Sequence, residues 1–351
     1  MPVPKLPFVA LAAFLLTACS PTKGFHVLDA PRPTLMPSAT PSPSPTPSPT
    51  ARPSPTPGSR PQSWLAHATV LTLYGRALGT SPILGRLGMD STMSDVAAQA
   101  QPFIQGIRSQ NGGKGVRLAL HLIYAMATPC NQGVHCLAYL DDAGVDIVKQ
   151  YIEPAAKRGW LVILDDQLGG STPAREMSRI IAKGYLRFDN VGVGIDPEFR
   201  ALPGQFTPGI PVGAVTASEL NAADIALNRY GAAHPLPHRK LVLIHQFQVG
   251  MIRQRGSLSI HLTWVDPVIV MDGFGDPGVK AHVYHELLSS RNAPRITWRG
   301  IKLFYPNPYE QAGHADGPLM SWTQVFGRAP ALDVDGVNYW VSPAPQVVVI
   351  A

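Results

Sequence analysis

Eight short apolar runs, separated by amphipathic segments, constrain this sequence more than any other feature in it. They cover residues 69–74, 116–124, 161–165, 191–196, 240–245, 267–271, 301–305 and 346–350. Most are rich in β-branched residues and bounded by Gly, Pro or Asp, the pattern of strands buried on both faces. Helical spacing fills the gaps. Val96, Phe103 and Ile107 share a face within 90–108, and 138–157 carries Val145, Val148, Tyr151 and Ile152 in the same way. Segment 172–183 places Met177, Ile180 and Ile181 together, and 216–230 opens with Thr216 and Glu219, the spacing of a capping box. Further helices are expected over 277–288 and 318–326, while the one around 249–256 is weakly marked. Strand and helix alternating over about eight units predict an α/β fold, a (β/α)8 TIM-like barrel closed by its last strand. The alternative is an open doubly wound sheet. For that, Tyr74-Gly75-Arg76-Ala77-Leu78-Gly79 is only a weak imitation of a glycine-rich fingerprint.

The chain ahead of these runs has a different composition. Lys5 precedes an apolar run from Phe8 to Leu16, too short to span a bilayer and of the length of a signal-peptide core. It ends in Leu16-Thr17-Ala18-Cys19-Ser20. That ending resembles the lipobox of bacterial lipoproteins, which implies a diacylglycerol on Cys19 and cleavage before it. Residues 31–61 are almost wholly Pro, Ser, Thr and Ala, as in Pro41-Ser42-Pro43-Ser44-Pro45-Thr46-Pro47. Such a segment cannot bury enough apolar surface to fold. In an extended form at ~3.1 Å per residue it spans up to roughly 90 Å. The expected organisation is a signal peptide over 1–18, a lipid-anchored Pro/Ser/Thr-rich linker over 19–62, and a barrel domain over 63–351. The expected location is the extracytoplasmic face of a membrane, at the cell surface or in the periplasm.

With Cys19 assigned to lipid, Cys130 and Cys136 remain as an even pair in an oxidising compartment, and a disulfide between them is expected. The rival is a metal pair completed by His135. The net charge of +6 is modest and scattered, with Arg32, Arg52 and Arg60 in the linker, so a nucleic-acid partner is not expected. The expected partners are the membrane, through the lipid, and a polysaccharide, with the protein itself a monomer.

In a barrel of this kind the active site lies at the C-terminal ends of the strands. There the runs end in Tyr74, Tyr124, Asp165-Asp166, Asp196-Pro197-Glu198, His245-Gln246, Asp272-Gly273 and Tyr305, and the seventh carries Lys302. On the fourth run Val191, Val193 and Ile195 alternate with Gly192, Gly194 and Asp196, and Glu198 follows in phase. The apolar set is expected to face the helices, which turns the glycines and both carboxylates to the lumen. Like-charge repulsion between Asp196 and Glu198 would raise one pKa, as a general acid requires. The expected catalytic residues are Glu198, Asp196, Asp166 and Asp272. Tyr74, Tyr124, His245, Gln246, Lys302 and Tyr305 are expected to bind substrate, Lys302 also pairing with Glu198 or Asp272. Of Asp165 and Asp166, only one can face the lumen. His282-Val283-Tyr284-His285-Glu286 lacks the His-Glu-x-x-His spacing of zinc proteases, and no Gly-x-Ser-x-Gly elbow or P-loop is present.

Gly192-Val193-Gly194-Ile195-Asp196-Pro197-Glu198-Phe199 resembles the end of the fourth-strand signature of family 18 glycoside hydrolases. The resemblance implies Glu198 as general acid and Asp196 as the residue that orients a substrate acetamido group. Val191 and Gly194 stand where that family usually has Asp, and the last strand lacks its tryptophan. A similar Asp-x-Glu strand end occurs in the lysozyme-like hydrolases of family 25. Asp-Pro-Glu-Phe, His-Gln-Phe, Met-Asp-Gly-Phe-Gly and Lys-Leu-Phe-Tyr are together similar to the strand ends of a group of bacterial barrel lipoproteins, which implies the fold. The leading expectation is a glycoside hydrolase acting on cell-wall or environmental polysaccharide without cofactor or metal. A non-catalytic glycan-binding barrel is the second reading. The third is a metal-dependent hydrolase using Asp166, Asp196, Glu198, His245 and Asp272.

Overall fold

The computed structural model describes residues 60–80, 84–130, 136–201, 205, 207–259, 261–309 and 314–351. The chain divides into two units, and the described residues all fall in the second, Ser54–Ala351. The expected signal peptide, Cys19 and the expected linker up to residue 59 lie outside the described residues. Among the described residues no helix is long and apolar enough to cross a membrane.

The second unit is a closed barrel of eight parallel strands. In chain order they are β1 (Ala68–Gly75), β2 (Gly115–Thr128), β3 (Leu161–Asp166), β4 (Val191–Ile195), β5 (Lys240–Gln246), β6 (Val265–Met271), β7 (Trp298–Leu303) and β8 (Val347–Ile350). Each pairs in parallel with the next, and β8 closes on β1 through Val70–Leu73 opposite Val347–Ile350. Carrying the pairing register once around the barrel returns to β1 displaced by eight residues. That is the shear of the (β/α)8 architecture.

This register fixes which side chains point inward. One buried cluster contains Val70, Ala119, Ile163, Leu243, Val270 and Val349, one from each of six strands, and no helical residue from the outer ring. It fills the lumen. A second, larger cluster joins the opposite strand faces to the helices, with Leu71, Leu120, Leu164, Val193, Ile244 and Ile301 among its members. The outer ring holds α1 (Met93–Gln110), α2 (Glu153–Lys157), α3 (Pro173–Ala182), α4 (Ala217–Ala233), α5 (Pro277–Leu288) and the single turn α6 (Trp322–Val325). Capping boxes start α1 at Thr92/Asp95, α4 at Thr216/Glu219 and α6 at Ser321/Gln324. Each satisfies two amide donors that a helix start leaves open.

The helix expected over 138–157 begins ten residues later. Cys136–Tyr139 is instead a short strand antiparallel to the end of β2, Ala125–Thr128, and a π-helical turn, Val148–Ile152, leads into α2. A disulfide between Cys130 and Cys136, with Cα atoms 5.7 Å apart, ties the hairpin together and holds this segment extended. After β5 the chain makes two 3-10 turns, Val249–Met251 and Arg255–Ser257, in place of a full helix.

The N-terminal end of the barrel is shut. Gln62 donates its amide to Pro237 and accepts one from Arg239, each at 2.8 Å. Trp64 stacks on His238 at 3.4 Å between ring centres, with the Arg117 guanidinium 4.4 Å over its ring. Leu65, fully buried, closes the lumen from below.

Candidate functional site

At the other end of the lumen the inward positions change from aliphatic to polar. Tyr74 on β1, His121 on β2, Asp165 on β3, His245 on β5 and Lys302 on β7 are buried together, with Asp196 and Asp272 just past the ends of β4 and β6. His121, Asp165, His245 and Asp272 each stand two residues beyond a lumen residue, Ala119, Ile163, Leu243 and Val270, while Tyr74, Asp196 and Lys302 follow Thr72, Gly194 and Gly300 in the same phase. Glu198 lies one step beyond Asp196, at the rim and partly buried.

The hydrogen bonds form a chain across the mouth. Lys302 Nζ donates to Asp272 Oδ2 at 2.9 Å, and His245 Nδ1 meets the same oxygen at 3.0 Å. Asp272 Oδ1 accepts the Gly273 amide at 2.8 Å, so both carboxylate oxygens are engaged. Lys302 Nζ also stands 4.0 Å over the Tyr74 ring, a cation–π contact in a water-poor site. On the far side His121 Nδ1 lies 3.3 Å from Thr72 Oγ1. Between the two histidines sits Asp165, whose Oδ1 is 3.3 Å from His121 Nε2 and 3.8 Å from His245 Nε2. Neither approach has hydrogen-bond geometry, and these Nε2 atoms and both Asp165 oxygens have no hydrogen-bond partner.

Gly194 makes this crowding possible. A Cβ there would lie 1.9 Å from Asp165 Oδ1 and 2.9 Å from His121 Nε2. The glycine that interrupts an otherwise β-branched strand is thus a space requirement of the site.

Electrostatics divides the carboxyls into two kinds. Burial raises Asp272, but Lys302 and His245 outweigh it and hold the group well below the usual carboxylate range. Asp165 is likewise held low: burial works against it, and His121, His245 and Lys302 prevail. Glu198 is pushed up to about 8 by burial and by the charge of Asp272. Asp196 is raised well above its ordinary value by burial and by Glu198. His121 is lowered to about 4, chiefly by burial, and stays neutral. Desolvation works to lower Lys302, but the ionised Asp272 at 2.9 Å outweighs it and the group stays charged. Near neutral pH the mouth therefore holds Asp165 and Asp272 ionised beside the Lys302 ammonium, while Glu198 keeps its proton.

Of the expected site residues, the structure brings Glu198, Asp196, Asp272, Tyr74, His245 and Lys302 to the mouth. Four others point to the outer ring. Asp166 is out of phase with Asp165 and lies near Glu176 and Arg179, where burial first and Glu176 second raise its pKa. Tyr124 donates to Asp141 Oδ2 at 3.1 Å and accepts from Arg179 Nε at 3.2 Å, outside the barrel. Gln246 bonds the following loop through Gln248 O and accepts from Arg255. Tyr305 lies past β7 and packs edge-on against Phe103 of α1. The last residue of a strand and the one before it face opposite ways, and these four hold the outward parity or lie beyond the strand. His121, a single histidine in the apolar run Leu118–Tyr124, was not anticipated. Its signal was phase, since Ala119, His121 and Ile123 alternate with the helix-facing Leu118, Leu120 and Leu122.

The rim also carries aromatic surface. Phe274, 43 % exposed, packs 4.1 Å from Phe304 between ring centres, and His314 lies 5.8 Å away, stacked. A cleft lined by Arg60, Arg239, Asp266 and Trp298 belongs to the shut end, away from this chemistry.

Comparison with protein-family models, with curated proteins and with solved structures found no match to this chain.

Proposed function

We propose that this barrel is a hydrolase of the cell envelope that cleaves glycosidic bonds in polysaccharide, with Glu198 as general acid. One observation carries the reading: neighbouring carboxyls at the mouth are driven to opposite protonation states, Glu198 up to about 8 and Asp272 well below its ordinary value. A protonated acid beside an ionised carboxylate is the arrangement that protonates a leaving oxygen while stabilising positive charge on the sugar ring. Phe274 at the rim offers an exposed ring on which a sugar face can stack.

The roles follow from which oxygens are already committed. Glu198 protonates the glycosidic oxygen. Asp272, both oxygens engaged by Lys302, His245 and Gly273, is a fixed negative charge and a poor nucleophile. Attack then falls to water or to the substrate's own acetamido group, the route implied by the family 18 resemblance, with Asp196 orienting that group. A lipid on Cys19 and the proline-rich segment after it would hold the barrel outside the cytoplasm, where wall and environmental glycans are found.

The test is hydrolysis of a panel of wall and storage glycans by the full chain and by Glu198→Gln. Cleavage abolished in the variant supports the assignment, with the largest rates on N-acetylated substrates if the acetamido route holds. Glycan binding without cleavage, equal in both proteins, sinks the catalytic reading and leaves a binding barrel.

A further inference from the structure

His121, Asp165 and His245 present one ligand atom each, and these atoms lie within 4.8 Å of one another at fully buried positions. We infer that they bind a first-row divalent cation of the zinc class, with His121 Nε2, His245 Nε2 and Asp165 Oδ1 as its protein ligands. The inference goes beyond the acid–base role of Glu198 and stands without it.

Three observations converge on the cation. The first is the set of atoms left over. Buried polar atoms in native proteins are almost always hydrogen-bonded, yet all three of these lack a partner and face one another. The second is spacing. Tetrahedral ligands at about 2.0–2.1 Å from a metal stand about 3.3–3.4 Å apart. Asp165 Oδ1 is 3.3 Å from one Nε2 and 3.8 Å from the other, close to that edge length and outside hydrogen-bond geometry. The third is how the rings are held. His245 turns its Nδ1 to the Asp272 carboxylate at 3.0 Å, and His121 turns its Nδ1 to Thr72 Oγ1 at 3.3 Å. A histidine that gives its Nδ1 proton to an oxygen carries its lone pair on Nε2, and carboxylate–histidine–metal triads are built this way.

Charge supports the same reading. Lys302 is committed to Asp272 at 2.9 Å, and neither oxygen of the fully buried Asp165 has a hydrogen-bond partner. A cation among the three atoms would give each of these buried polar atoms the partner it lacks. Gly194 leaves the room, since a Cβ on it would overlap Asp165 Oδ1. Two imidazoles and one carboxylate suit zinc and its first-row neighbours and leave at least one coordination position for water or a substrate oxygen.

The test needs no substrate. The full chain is stripped with a chelator, reloaded with Zn²⁺ or Co²⁺, dialysed and assayed for bound metal, and the Co²⁺ form is read by visible absorption. One equivalent per chain is expected, with the intense d–d bands of a four- or five-coordinate site. His121→Ala and His245→Ala should each weaken binding at least roughly 100-fold, whereas His238→Ala and His282→Ala, which break His–Asp pairs elsewhere, should bind as wild type. If the alanine variants do not fold, His121→Gln and His245→Gln remove the ligand at similar volume, and the wild-type cobalt spectrum decides in any case. Sub-stoichiometric metal in the wild type, an octahedral aqua-like spectrum, or full binding in both histidine variants overturns the inference. Because Glu198→Gln should keep the metal while losing hydrolysis, failure of the glycosidase reading and failure of the metal site are separately visible.

Discussion

Lys302 Nζ and Asp272 Oδ2 meet at 2.9 Å on adjacent strand ends, both side chains almost wholly buried, and the same ammonium caps the Tyr74 ring. A buried pair of this kind contributes little net stability against an apolar replacement, yet removing one partner strands the other. Lys302→Met should therefore destabilise the fold by about 3–5 kcal/mol. Lys302→Met combined with Asp272→Asn should recover much of that loss. Urea denaturation of the single and double variants measures both, and additive losses would show that the pairing is not the cause.

Glu198 keeps its proton to about pH 8. A general acid works only while protonated, so kcat/KM should hold below that pH and fall above it, each further unit costing about tenfold. Burial is the first cause of the shift and the Asp272 charge the second. A divalent cation among His121, Asp165 and His245 adds positive charge to the same lumen and should move this basic limb to lower pH. Profiles recorded with and without chelator separate the two contributions.

Gly194→Ala should be far more damaging than an average strand substitution. Its Cβ would collide with Asp165 Oδ1 and press on His121 Nε2. Overpacking of a filled site costs about 1–3 kcal/mol, and the displaced carboxylate should no longer hold a cation with its two histidines. Thermal melting combined with metal assay tests this. Gly112→Ala, at a position with open space around it but a positive φ, should change stability without touching the metal.

Asp224 on α4 is buried, one of its oxygens has no partner, and desolvation alone pushes it up to about 8. The folded state holds this proton from the ordinary carboxylate range up to about pH 8, while the unfolded state releases it near 4. Stability conferred by the protonated form is complete below about pH 4 and is lost progressively as pH rises toward 8. Asp224→Asn removes that dependence. Relative to wild type it should gain roughly 2–4 kcal/mol at pH 8 and almost nothing at pH 4, as read from urea midpoints. An equal effect at both pH values would show that the group is not protonated in the fold.

The barrel was legible because strands buried on both faces and helices with one apolar face leave different periodicities. β4 was the clearest case. Its alternation of Val and Gly assigned Asp196 to the lumen before any register was known, and the structure places it there. β3 shows where that signal is silent. In Leu161–Asp166 both parities are aliphatic and both end in Asp, so only pairing with Gly194 distinguishes the inward Asp165 from Asp166. His121 is obscure for a related reason: its phase turns it to the lumen, but nothing within β2 shows that Asp165 of the next strand meets it there. The hairpin at Cys136–Tyr139 was hidden because the apolar pattern of 138–157 fits a helix locally, and the disulfide to Cys130 overrides it.

The shut end has a directional consequence. The described chain enters beneath the lumen, pinned by Gln62 to Pro237 and Arg239, with Leu65 as the plug, and every reactive group lies at the opposite pole. With the base plugged, whatever reaches these groups must come and go by one door, so a molecule held at the mouth would bar the way to the next.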